Sequence, residues 1–234
     1  MKLGTKEIVA FGVPYLVAVG ACYLFGYWGA FQINVLEYIS FADVAKIAVY
    51  PLVASVIFAL AGVAISELVW GPYFPPGGGN STAIGRFGLK RWRWLVTAML
   101  GLVVVIAIFG PEPRKWFLVA SLVSLLSISL TYIEQVIEIF PNPRASKIAM
   151  YLFLLLPTTS FAHGREQAYL VKTGNADHFV DIQRSKLPLT VDEKNQVAYL
   201  GLLGNLYVLR EGTTGHIVFV KQRDDSPLFL VPRK

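Results

Sequence analysis

The chain has little with which to do covalent or metal chemistry. Cys22 is its only cysteine, which excludes an intramolecular disulfide framework and any CxxC metal pair. Its three histidines, His163, His178 and His216, are scattered without paired spacing, so a zinc site is not expected. Neither GxSxG, HExxH nor a Ser-Lys pattern appears in any of its long apolar segments. Gly77-Gly78-Gly79 suggests a phosphate cradle, yet no Walker lysine follows and no strand precedes it. Charge is scarce as well, at 15% of residues. No basic stretch alternates with stacking aromatics inside a polar fold, so direct nucleic-acid binding is not expected. No assembled nucleophile, base and oxyanion site can be drawn from these residues. The expectation is a protein that is not an enzyme and carries no cofactor and no metal.

What is abundant is apolar side chain. Hydrophobic residues make up 55% of the chain and the mean hydropathy is +0.54, outside the norm for water-soluble domains. Apolar segments run at 8–30, 44–69, 94–110, 116–140 and 148–162. A membrane span needs ~17–25 residues, which the first, second and fourth meet, the third with its flanks, and the short fifth as a continuous apolar run. The fold class this predicts is a membrane all-α helical bundle of four to five transmembrane helices with a small C-terminal β-rich domain. Residues 1–162 form the helical part and 163–234 the β-rich part.

Basic residues set the orientation. Lys2, Lys6, Arg86, Lys90, Arg91, Arg93, Arg144 and Lys147 fall on one side of such a bundle, which the positive-inside rule makes cytoplasmic. The expected location is a bacterial inner membrane, multi-pass, with the N-terminus inside and the C-terminal domain in the periplasm. If 148–162 does not cross, that domain is cytoplasmic. The run ending Val19-Gly20-Ala21-Cys22 imitates a lipoprotein signal, but it continues apolar through Trp28, which argues against processing there.

Two constellations stand out. In 116–140, Ser121, Ser124, Ser127, Thr131, Glu134 and Glu138 recur at spacings of three or four, within an arc of ~140° on a helix. Carboxylates facing lipid are expensive, so this stripe reads as a packing seam or the wall of a polar passage. Glu134 and Glu138 could also form an acid-base pair, a minority reading. The second constellation is Arg86, Lys90, Arg91 and Arg93 with Trp92 and Trp94, a basic-aromatic collar suited to anionic lipid or to an acidic cytoplasmic partner. The connector 31–43 carries Phe31, Tyr38 and Phe41, rings that suit a membrane interface.

Beyond residue 163 the texture changes to short β-like runs: 167–172, 180–183, 197–203, 206–210, 216–222 and 228–231. Gly212-Thr213-Thr214-Gly215 reads as a hairpin turn. Several runs are apolar at odd and even positions alike, predicting strands covered on both faces and hence oligomer contacts.

Three segments carry a resemblance: Gly26-Tyr27-Trp28-Gly29-Ala30-Phe31, the connector Leu36-Glu37-Tyr38-Ile39-Ser40-Phe41-Ala42-Asp43, and Tyr199-Leu200-Gly201 ahead of Leu206-Tyr207-Val208. On these the layout resembles small bacterial multispan inner-membrane proteins, among them phage-defence membrane subunits of the Kiwa type. No functional residue is carried across. The resemblance implies an oligomeric membrane protein working with a soluble partner. The expected function is therefore a non-enzymatic sensor or effector subunit in anti-phage defence, a homo-oligomer in contact with the bilayer and with a soluble cytoplasmic partner. The alternatives are an immunity protein that binds a membrane-targeting toxin through its β-domain, and a small channel or transporter accessory.

Overall fold

The structure, a computed structural model, describes residues 5–40, 44, 90–130, 143–185, 187, 196–212, 214–222 and 227–232. Helix α1 is Thr5–Gly29, followed by a 3-10 turn at Val35–Glu37. Helices α2 (Trp92–Phe109), α3 (Arg114–Leu130) and α4 (Pro143–Lys172) come next. The C-terminal part comprises β1 (His178–Val180), the short α5 (Ile182–Ser185), β2 (Val197–Leu203), β3 (Leu206–Glu211), β4 (Ile217–Lys221) and β5 (Leu230–Pro232).

Helices α1 and α4 lie against each other, α3 packs on α4, and α2 packs on α3. Glycine permits the first of these contacts. A Cβ on Gly26 would collide with the Phe161 carbonyl, and one on Gly164 with the Tyr23 carbonyl, so the two backbones touch where side chains would normally separate them. A second tie follows from Pro157, inside α4. Proline has no N–H to donate to the carbonyl four residues back. That carbonyl belongs to Phe153, and the Tyr15 hydroxyl of α1 donates to it at 3.1 Å and to Leu152 O at 3.1 Å. The Tyr15 ring also stacks on Phe153, with centroids 5.1 Å apart.

Helix α4 ends in a glycine cap. Gly174 sits at φ +79°, its N–H donates to Val171 O at 3.2 Å, and that of Asn175 to Leu170 O at 2.8 Å. The crossed pair closes the last turn as left-handed glycine caps do. Arg210 adds a 3.4 Å hydrogen bond from its guanidinium to the Val171 carbonyl, tying that end to the sheet.

The sheet is antiparallel throughout in the order β4-β3-β2-β1-β5. One face receives α1 and α4: Leu24, Trp28, Phe31, Val35, Ala168, Val171, Leu200, Leu203 and Val208 share a core. On the other, Val180, Val197 and Leu209 gather Ile182, Leu187, Tyr199, Tyr207, Val220 and Leu228. The two-sided cover read from the odd-and-even apolar runs thus comes from the chain's own segments. Helix α5 holds the far edge, because Asp181 accepts the Arg184 N–H at 3.1 Å and Ser185 Oγ accepts the Phe229 N–H at 3.0 Å.

Among the described residues no helix is long and apolar enough to cross a membrane. That overturns the membrane all-α bundle of four to five transmembrane helices and the multi-pass inner-membrane location; the fold is helices combined with a five-stranded antiparallel sheet. The physical reason is clearest in α4. The run 148–162 is the middle of a 30-residue helix whose other half carries His163, Arg165, Glu166 and Lys172 and packs on the sheet. The expected strand 167–172 is the last part of that helix. Of the connector aromatics, Phe31 is buried in the core and Tyr38 stacks on Phe219 of β4 at 5.6 Å, while Phe41 lies outside the described residues. Most of 44–69 and residues 131–142 lie outside the described residues.

Candidate functional site

Where α1 and α4 meet the sheet they leave an open cleft of about 340 Å³, within the range of small-molecule sites. Its helix side is Tyr23, Leu24, Tyr27 and Trp28 of α1 with Gln167 and Val171 of α4. The sheet side is Tyr199, Leu200, Gly201 and Leu202 of β2, and Asp177 and His178 stand where α4 hands over to β1.

Each wall has a sequence cause. Tyr23 and Tyr27 are four apart on a helix and so share a face; their rings are parallel to within 3°, with centroids 6.3 Å apart. Trp28 meets Tyr27 edge-on at 5.1 Å and reaches the sheet at Gly201. There β2 carries an irregularity: the register with β3 shifts between Tyr199 and Gly201, and Gly201 takes φ +150°. A Cβ at that position would stand 3.2 Å from the Trp28 ring, so glycine lets indole lie on the strand. The shift also leaves Leu200 out of the β2–β3 pairing, and its carbonyl accepts a hydrogen bond from the Tyr27 hydroxyl at 2.8 Å. A bulge beside a pocket commonly re-aims the chain in this way.

Among the described residues that line the cleft Asp177 is the one acid, His178 stands beside it, and no lysine or arginine is present. Among the described residues Asp177 has no ion pair. Burial raises the Tyr27 hydroxyl well above its ordinary range, with smaller contributions from Tyr23, Asp177 and Tyr199. Tyr23 is raised by burial first and by Asp177 second, and Tyr199 by burial and then by Tyr207. These phenols are neutral donors at physiological pH.

A second polar cluster lies between α3 and α4. Lys115 pairs with Glu112 at 2.9 Å, and the Trp116 indole N–H donates to the same carboxylate at 2.9 Å. The Arg165 guanidinium lies over Trp116 at 5.3 Å and over Phe161 at 5.7 Å. Its buried Nε, like the buried hydroxyl of Ser160, has no hydrogen-bond partner among the described residues. Among the described residues no group of three or more His, Cys, Asp or Glu stands together as a metal site.

The constellations expected from sequence are described in part. Ser121 is in α3, exposed, and donates back to the Phe117 carbonyl at 2.9 Å. Ser124 and Ser127 are on the same helix, while Thr131, Glu134 and Glu138 fall outside the described residues. Lys90 and Arg91 are exposed just ahead of α2, Arg93 belongs to its first turn, and Arg86 lies outside the described residues. Ser121, Lys90 and Arg91 are not among the residues that line the cleft. Tyr23, Gln167, Asp177 and Tyr199 were missed as site residues. The available signals were the i, i+4 tyrosines and a glycine inside a strand. The segments Gly26–Phe31 and Tyr199–Gly201, singled out separately for their resemblance, meet here.

Comparison with known proteins gave no match to any family model, any curated protein or any solved structure.

Proposed function

We propose that this chain is a non-enzymatic, homo-oligomeric sensor or effector subunit that works with a soluble partner in anti-phage defence. The observation that carries the sensing role is the cleft, whose walls come from α1, α4 and β2 at once. An occupant would bear on the helix pair and the sheet together, and a ligand shifts a conformational equilibrium only through such differential contacts. Its chemistry suits binding: stacked phenols, an indole, an amide and one carboxylate. The defence setting rests on the resemblance of the three segments above. Lys90 and Arg91 supply the basic surface for an acidic partner.

The test is phage challenge of cells carrying the chain with its neighbouring genes. Loss of protection in Tyr23→Leu and in Asp177→Asn, at unchanged protein level, is expected. Full protection by both variants overturns the sensing role. Arg91→Gln is expected to lower co-purification of a soluble partner encoded beside it.

A second reading, an immunity protein that captures a toxin, draws on β5, which is exposed at the sheet edge with Phe229, Leu230 and Val231 outward. Such an edge can accept an added strand. A neighbouring toxin gene whose product binds the chain, with binding lost in Val231→Pro, would favour it.

A further inference from the structure

The cleft combines aromatic faces with one carboxylate and, among the described residues, no lysine or arginine, and we infer that it takes an organic ammonium, of the methylated amine class. This rests on the cleft being a ligand site, as proposed above.

Three observations converge. Tyr23 and Tyr27 present parallel rings 3° apart in tilt, and Trp28 closes the corner edge-on to Tyr27. Such π-faces attract a cation through their quadrupole, most strongly when it is weakly hydrated and leaves water easily. Asp177, exposed at the mouth and without an ion pair among the described residues, adds a fixed negative charge. The Tyr27 hydroxyl is occupied by the Leu200 carbonyl, so that phenol contributes its ring more than its hydrogen bond, which suits a ligand with methyl groups in place of N–H donors.

Anions are disfavoured on the same grounds. The cationic side chains nearest in the chain are directed elsewhere: Lys172 lies over Phe31 at 5.5 Å, Arg165 over Trp116, and Arg210 on the Val171 carbonyl. A neutral planar ring such as a nucleobase could stack on the tyrosines, be read by Gln167 and donate an N–H to Asp177, but it would leave the charge of that carboxylate without a counter-ion. Charge therefore discriminates between the two.

The experiment is titration of the full chain with choline, with its uncharged isostere 3,3-dimethylbutanol and with adenosine, followed by calorimetry and tryptophan fluorescence. Saturable choline binding is expected, with the isostere weaker by about tenfold, between the values of an exposed and a desolvated cation–π contact. Asp177→Asn should weaken choline by about tenfold and leave the isostere unchanged, because only the charged ligand loses a partner. Asp177 is exposed, so that variant should keep its fold, and its far-ultraviolet dichroism and Tm verify that. Tyr23→Leu should weaken choline without abolishing folding. Equal binding of choline and the isostere, or choline affinity unmoved by Asp177→Asn, overturns the ammonium assignment. Binding of adenosine alone overturns it while leaving the cleft a sensor site. Absence of choline binding overturns the ammonium assignment, and full phage protection by the cleft variants removes the sensing role as well.

Discussion

Tyr27 concentrates the physical logic of the cleft. Its ring is a wall, its hydroxyl fills the acceptor that the β2 irregularity leaves open, and its burial keeps it protonated. Tyr27→Phe keeps the ring and removes the hydroxyl, leaving the Leu200 carbonyl unsatisfied. The expected cost is ~1 kcal/mol or somewhat more in a two-state urea melt. The pH dependence has a definite sign. Folding raises the phenol above its usual value of 10, so in alkali the unfolded chain ionises first. The stabilising contribution is whole below pH 10 and is lost as pH rises from there through the folded value. Urea melts from pH 8 to 11 should show wild type losing stability faster than Tyr27→Phe at the alkaline end. Parallel curves would contradict the buried neutral phenol.

At the scale of elements, the crossing of α1 and α4 depends on two glycines. A methyl at Gly26 or Gly164 meets backbone of the facing helix rather than a side chain that could swing away. Gly164→Ala and Gly26→Ala should each destabilise by about 2 kcal/mol or more, since overpacking is relieved only by moving a helix. Gly12→Ala in the same helix, where an added Cβ meets nothing within 4 Å, should be stabilising by a few tenths to ~1 kcal/mol. Thermal melts of the three variants give the comparison directly. These elements differ in how far they could be read beforehand. Strands β2 and β3 lie where their apolar runs lie, and the glycine-flanked turn joins β3 to β4 as its residues suggest. Hydropathy marks where α1 to α4 lie but not what covers them, and among the described residues none is a span. Nothing local distinguishes an apolar face packed on a sheet from one packed on lipid. The Gln167–Lys172 stretch went to helix because Ala168 and Val171 pack on Leu24 and Trp28, a contact from distant sequence. The cleft was illegible for the same reason: α1 and β2 are over 160 residues apart, and only folding brings Tyr27 to Leu200.

For the whole molecule, the outstanding feature is what α2 leaves uncovered. Leu100, Leu102, Val104, Val105, Ile108 and Phe109 are all exposed, Ile108 at 64% and Phe109 at 81%, and no charged residue interrupts 94–113 except Glu112. Val13, Leu16 and Phe25 of α1, Phe117 and Leu118 of α3 and Phe153 of α4 extend the pattern to the other helices. A lone chain in water seldom shows an apolar surface of this kind. Homo-oligomers bury such faces against their own copies, because an isologous contact matches one apolar patch with itself. The mass of the purified full chain, by light scattering or native mass spectrometry, should therefore be a multiple of 25.9 kDa. Val104→Lys combined with Ile108→Lys places two charges on the exposed side of α2, where in a monomer they would be solvated at little cost. In an assembly they would be desolvated, and unpaired buried charge is costly enough to separate subunits held by apolar contact. The double variant should keep its helix content and run at the mass of one chain. A wild-type particle of monomer mass that retains lipid or detergent would assign the face to acyl chains instead and overturn self-association. An unchanged assembly in the double variant would move the contact from α2 to another of the exposed apolar faces.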